Sequence, residues 1–343
     1  MSLVVGATTA FATMPIARRV AWHTGFLDQP VGYKKHGRAT PYLGGVAVLL
    51  AFVVAAVSFG EGSGRFLPVV LYAVGLCVVG TVDDRVNLSP WIRLGATVAA
   101  GVGLWVGDLG WNVFAGSGLD FVLTVVWVLG LVNAFNLMDN LDGAAGSVTV
   151  AAAVGIGAFA LLNDDVALAA AAFGLVGACL GFLRFNLARP ARIFLGDGGS
   201  MSIGFIVAAL VIAAPPVEDL GRGSVLVAAL LVGLVILDTT LVTISRRRRG
   251  RPLMTGGRDH LTHRMLDVVG SARGVAGTLA AVQLSLCALA LAASGLGRTA
   301  VLWIAAAAVI AGIGAIAALE ARMDRLESEA AARAGRLASA QLE

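Results

Sequence analysis

Charge is what this chain lacks most. Only 13% of its 343 residues are Asp, Glu, Lys or Arg, while 58% are hydrophobic, a balance that excludes an ordinary soluble domain. Alternation over ~10-residue segments, the mark of a membrane β-barrel, is missing. So are internal repeats, low-complexity linkers and the HExxH zinc pattern. The three cysteines, Cys77, Cys179 and Cys287, lie inside apolar runs without metal-ligand spacing and read as small buried hydrophobes.

What remains is a polytopic membrane chain. Apolar runs near 2–17, 41–59, 67–82, 92–107, 119–136, 147–162, 166–183, 200–214, 224–244, 275–293 and 299–318 approach the ~20 residues that a helix needs to cross ~30 Å of hydrocarbon. The fold expected is therefore all-α, a bundle of about eleven transmembrane helices forming a single domain over 1–318. A charged, Ala-rich helical tail covers 319–343. No Lys or Arg precedes the first run and Arg18 and Arg19 follow it, so it reads as a retained span with its N-terminus outside, not a signal peptide.

Threading the chain through eleven spans places 22 of the 25 Lys and Arg residues on one side, against Arg65, Arg222 and Arg298 on the other. By the positive-inside rule the rich side is the cytoplasm, which also receives the C-terminus. The net charge of +4 thus reports topology and gives no reason to expect nucleic acid. The run from Arg246 to Arg251 reads as a helix stop.

Four polar clusters interrupt the oily chain, all on that cytoplasmic side. Asp83 and Asp84 end the third run. Adjacent carboxylates repel unless a cation is near, and oxygen donors of this type suit Mg²⁺ or Mn²⁺; a solvated helix boundary is the bland alternative. In NAFNLMDNLDG (133–143), Asn133, Asn136 and Asn140 recur at i, i+3 and i+7 on one helical face beside Asp139 and Asp142, which favours a polar ligand site over a simple turn. FLGDGGS sets Asp197 between glycines before an apolar run, where helix N-terminal amides could meet an anion and Asp197 could complete a carboxylate set with Asp83 and Asp84. Phe194 could stack on a base or sit at the interface. DHLTHR carries His260, His263 and Arg264, too few strong ligands for zinc and better suited to phosphate or sugar recognition. Asp238 stands about 10 Å inside its helix end, a depth at which an acid marks a functional site by default.

In order, KKHGRATPYLGG (34–45), GTVDDRVNLS, NAFNLMDNLDG, FNLARPARIFLGDGGS (185–200), LDTT (237–240) and DHLTHR resemble the blocks of the polyprenyl-phosphate N-acetylhexosamine-1-phosphate transferases. The resemblance implies transfer of a sugar-1-phosphate from a UDP-sugar to a polyprenyl phosphate such as undecaprenyl phosphate, with Mg²⁺ (or Mn²⁺) and release of UMP. It implies Asp197 and Asp84 as metal ligands, with Asp83 or Asp84 activating the acceptor phosphate or attacking as nucleophile. Asn136, Asp139, Asp142 and Phe194 would line the uridine and diphosphate pocket. His260, His263 and Arg264 would recognise the donor, and Lys35 and His36 would lie near either phosphate. The setting implied is the plasma membrane with a cytoplasmic active site, and a homodimer is compatible with it.

The chain departs from the family pattern at Ala39, Asn87, Val235 and Thr262, and its FN-to-FLGD segment is one residue longer than usual. DHLTHR and LDTT resemble the branch that takes UDP-GlcNAc. The alternative within the family is the phospho-N-acetylmuramoyl-pentapeptide transferase of peptidoglycan synthesis. A transporter is the alternative from another class, disfavoured because its polar groups would sit at the bilayer midplane, often with repeat symmetry.

Overall fold

The computed structural model describes residues 1–29, 39–59, 63–214, 224–252, 257 and 259–340. Among these are thirteen α-helices: α1 (Ser2–Thr24), α2 (Gly44–Phe59), α3 (Ser63–Val86), α4 (Pro90–Val106), α5 (Gly118–Met138), α6 (Ala144–Leu162), α7 (Val166–Asn186), α8 (Gly196–Ile212), α9 (Ser224–Leu231), α10 (Gly233–Arg248), α11 (Leu261–Val269), α12 (Ala272–Leu296) and α13 (Arg298–Ala340). A two-residue hairpin, β1 (Leu27–Asp28) with β2 (Thr40–Pro41), pairs antiparallel with Leu27 opposite Pro41.

Six helices, α3, α5, α6, α7, α12 and α13, are long and apolar enough to cross a membrane, and a seventh span arises if α9 and α10, bent by 79° at their junction, count as one. Each of the eleven apolar runs in the sequence falls on one helix or on that bent pair.

The centre of the bundle is α8. Every residue of it is buried except Asp197, as expected of a helix apolar all round. It packs on α3, α5 and α2, and glycines let the backbones meet. A Cβ added to Gly45 would stand 2.1 Å from the Gly199 Cα, and one added to Gly80 2.4 Å from the Asp197 carbonyl carbon. Helices that gain little from hydrophobic sorting in lipid associate through such close van der Waals contact.

The structure adds detail to the sequence reading in four places. The third helix continues to Val86, so Asp83 and Asp84 lie in its last turns and not beyond its end. The run 224–244 breaks between α9 and α10. There Gln283 of α12 accepts the Leu234 N–H at 3.0 Å and donates to the carbonyls of Leu231 (2.9 Å) and Leu230 (3.3 Å), satisfying backbone groups that a break in hydrocarbon would otherwise strand. The segment after His260 is the helix α11 and not an irregular loop. The boundary placed at 318/319 falls inside α13, which runs unbroken for 43 residues.

Candidate active site

The first cluster forms where the end of α3 meets the start of α8. The Asp197 N–H donates to both Asp84 oxygens, at 3.1 and 3.0 Å, because Gly196 at φ +75° turns the chain into the helix beside them. A Cβ at Gly196 would lie 2.6 Å from Asp84 Oδ2. Arg93 Nη1 donates to Asp83 Oδ2 at 2.8 Å and to Asp197 Oδ2 at 3.2 Å. The Leu88 N–H donates to Asp83 Oδ1 at 2.6 Å, and Asn136 Nδ2 donates to Asp197 Oδ1 and Ser200 Oγ, both at 2.9 Å. Four helices, α3, α4, α5 and α8, thus converge on three carboxylates.

The helix ends at Met138, so only Asn133 and Asn136 lie on α5 and Asn140 falls in the turn beyond it, a correction to the expected row of three amides; only Asn136 enters this cluster. Asn133 donates to its own helix at Leu129 O (2.7 Å), and the Asn140 side chain accepts from the Thr262 hydroxyl. Asp139, at the C-cap of α5, has its carboxyl held well above the usual carboxylate range, first by burial and then by Asp197, Asp84 and Asp142.

Backbone pairing fixes the surrounding loops. The Phe194 N–H donates to Pro41 O at 2.8 Å, and Gly44 and Gly45 N–H donate to Phe194 O (3.0 Å) and Leu195 O (2.9 Å), which joins the PYLGG block to FLGDGGS. Asn186 is buried with its Oδ1 on Gly143 N–H at 2.6 Å and its Nδ2 on Ile193 O at 3.0 Å. It is a clamp between two motif loops.

The second cluster gathers around α11. Asp238, fully buried, accepts the Leu261 N–H at 2.7 Å and has His260 Nδ1 at 3.1 Å. Arg246 grips Asp259 with two bonds, Nε to Oδ2 at 2.7 Å and Nη2 to Oδ1 at 3.0 Å. Burial alone would raise the Asp259 carboxyl, but Arg246, a backbone N–H and His260 together more than offset it and hold it below its ordinary value. Arg264 is only 4% exposed. Its Nε donates to Asp259 O (2.9 Å) and its Nη2 to Ser245 Oγ (2.9 Å) and Glu320 Oε1 (2.8 Å). The bond from Thr262 to Asn140 ties this cluster to the end of α5.

The structure therefore brings together Asp83, Asp84, Asn136 and Asp197, with Asp139 and Asp142 on the adjoining turn and Phe194 on the loop before α8. It gathers His260, His263 and Arg264 separately on α11. Arg264 bonds internal partners through Nε and Nη2, while its buried Nη1 has no hydrogen-bond partner among the described residues. Lys35 and His36 lie outside the described residues. Two ionic residues escaped the sequence reading. Arg93, in the first turn of α4 after Ser-Pro, had been counted only as topological charge. Glu320, 2% exposed, had been absorbed into a solvated tail.

Among the described residues no three His, Cys, Asp or Glu side chains already converge on one metal position. The donor set nonetheless suits a hard divalent cation. Asp83, Asp84 and Asp197 offer only oxygen, and the one basic side chain bonded to this set among the described residues is Arg93, which leaves carboxylate charge uncompensated.

Known proteins resemble this chain in sequence. Residues 66–214 match the family model described as glycosyl transferase family 4, a stretch that holds the Asp83, Asp84 and Asp197 cluster but not the one around α11. Decaprenyl-phosphate N-acetylglucosaminephosphotransferase of Mycobacterium tuberculosis H37Rv is 33% identical over 313 residues, covering 80% of this chain and 77% of that protein. Undecaprenyl-phosphate alpha-N-acetylglucosaminyl 1-phosphate transferase of Escherichia coli K12 is 28% identical over 269 residues, 72% of this chain and 71% of that protein. With this similarity spanning helices on both sides of the carboxylate cluster, the chain belongs to glycosyl transferase family 4.

Proposed function

We propose that the protein transfers N-acetylglucosamine 1-phosphate from UDP-GlcNAc to a polyprenyl phosphate, yielding polyprenyl diphosphate-GlcNAc and UMP, as an initiating step of a cell-envelope polysaccharide. The observation that carries this reading is the carboxylate cluster itself: Asp83, Asp84 and Asp197 joined through Arg93 and Asn136 at helix ends, in a chain similar to enzymes named for that transfer. In the reaction an acceptor phosphate oxygen bonds to the donor phosphorus that bears the sugar. The bond from that phosphorus to the bridging oxygen breaks, and its electron pair leaves with UMP.

Two phosphate-bearing anions must meet for this to happen. Unit charges ~4 Å apart repel by about 1 kcal/mol in water and several-fold more as the dielectric falls. A Mg²⁺ ion, held by Asp197 and Asp84, would supply the charge that offsets this repulsion. Asp83 and Asp84 orient the acceptor phosphate and take its proton when it carries one. Asn136, Asp139, Asp142 and Phe194 line the uridine-diphosphate side, the segment of His260, His263 and Arg264 serves the donor sugar and phosphate, with His260 set by Asp238, and Lys35 and His36 serve a phosphate. All eleven helical units cross the plasma membrane, with the N-terminus outside and the site cytoplasmic, where a soluble UDP-sugar and a lipid acceptor can both reach it.

The test is turnover by purified protein with a panel of UDP-sugars and undecaprenyl phosphate, following UMP and the lipid product. UDP-GlcNAc is expected to be the preferred donor. Transfer from UDP-MurNAc-pentapeptide without any from UDP-GlcNAc would reverse the donor assignment, and no transfer from any UDP-sugar would remove the reading.

A further inference from the structure

The end of α13 does more than emerge from the bundle. Glu320 Oε1 accepts from Arg264 of α11, and its Oε2 accepts from Arg248 Nη1 at 3.1 Å and from Arg249 Nη1, both on the basic run that ends α10. Asp324, one turn further, takes the second nitrogens of the same two arginines, Arg248 Nη2 at 3.1 Å and Arg249 Nη2 at 2.7 Å. One helix face therefore binds three guanidinium groups.

Those groups bear on the segment that carries His260 and His263. Arg264 holds the Asp259 carbonyl while gripped by Glu320 and Ser245. Arg246 holds the Asp259 carboxylate and Asp238 holds the Leu261 amide. Residues 259–264 are thus fixed from α10 on one side and from α13 on the other. A surface ion pair contributes little, but Arg264 and Glu320 are 3% and 2% exposed, where a missing partner is not replaced by water.

We propose that Glu320 is a positioning residue for the donor-binding segment: its carboxylate sets Arg264, and through it the placement of His260 and His263, without touching substrate. This rests on the reading of that segment as the donor side of a UDP-sugar transferase. Removing the charge should loosen donor recognition and leave acceptor binding intact, because the carboxylate cluster is built from α3, α4, α5 and α8 and, among the described residues, shares no bond with α13.

The experiment compares the full-length protein with Glu320→Gln and Glu320→Asp in lipid nanodiscs. In variants that remain monodisperse, KM for UDP-GlcNAc should rise about tenfold in Glu320→Gln and less in Glu320→Asp, while KM for undecaprenyl phosphate stays within about twofold. Hydrogen exchange without substrate should quicken in 259–266 and not in 83–93 or 194–200. Unchanged donor KM and unchanged exchange would overturn the proposal, as would equal rises in both KM values. Should Glu320→Gln fail to fold, Glu320→Asp decides by the same two readouts. A wild-type protein inactive with UDP-GlcNAc would defeat the functional reading alone, since the exchange measurement tests the clamp independently.

Discussion

Asp197 is the only residue of its helix left accessible, and it draws bonds from Arg93, Asn136 and its own backbone contact with Asp84. Charge at this point is what the reaction needs. Asp197→Asn or Asp84→Asn should lower turnover at least ~10²-fold, the scale of removing a principal charge-stabilising group, and activity should depend strictly on Mg²⁺ or Mn²⁺. Near-normal rates in EDTA would sink this role. Arg264 makes the opposite prediction. Because it is buried against Glu320, Ser245 and the Asp259 carbonyl, Arg264→Ala should cost stability, visible as a lower melting temperature, although Glu320 keeps Arg248 and Arg249; His263→Ala should melt close to wild type and impair donor use. Side-chain identities made Asp83, Asp84, Asn136 and Asp197 legible in the sequence. A His/Arg motif does not say which of its members faces inward, so the burial of Arg264 was not legible, and Arg93 was invisible because its partners come from 10 and 104 positions away.

At the scale of elements, the site depends on how closely α3 lies on α8. Gly80→Ala would push a methyl to within 2.4 Å of the Asp197 carbonyl carbon, so the backbone that aims Asp197 must shift. Misplacement by about 1 Å can cost ~10²-fold in rate, and that loss is expected in steady-state turnover. Gly75→Ala on the same helix meets nothing within 4 Å and should be silent. Equal activities for the two variants would show that α3 and α8 need not touch so closely. Hydropathy revealed where the helices lie because each run is long and apolar. It could not reveal the bend between α9 and α10, since no proline marks it and the group that sustains it, Gln283, is about fifty residues away.

The whole molecule can be tested by sidedness. Cys77, Cys179 and Cys287 are buried, so a membrane-impermeant thiol reagent meets little background. Added outside intact cells, it should label Asn112→Cys and Asn163→Cys, both at exposed positions, and spare Ser89→Cys and Ser328→Cys, which are equally exposed but assigned to the cytoplasm. The reverse pattern would invert the bundle. The expected orientation rests on arginine counts alone, a bulk property of the chain. The route by which distant segments assemble is no such property and was not legible.

That route has a history written into α1. This helix is not apolar enough to rank among the confident spans, and what holds it is shape: a Cβ on Gly177 of α7 would stand 2.0 Å from the Leu3 carbonyl oxygen, and one on Gly6 2.4 Å from that of Gly174. Its partner is made much later. At about 5–20 residues per second, the ribosome needs on the order of ten to thirty seconds after finishing α1 to deliver α7. During that interval α1 has α2 to pack on but not α7, the surface its glycines are cut to fit, so half of its seat is completed late.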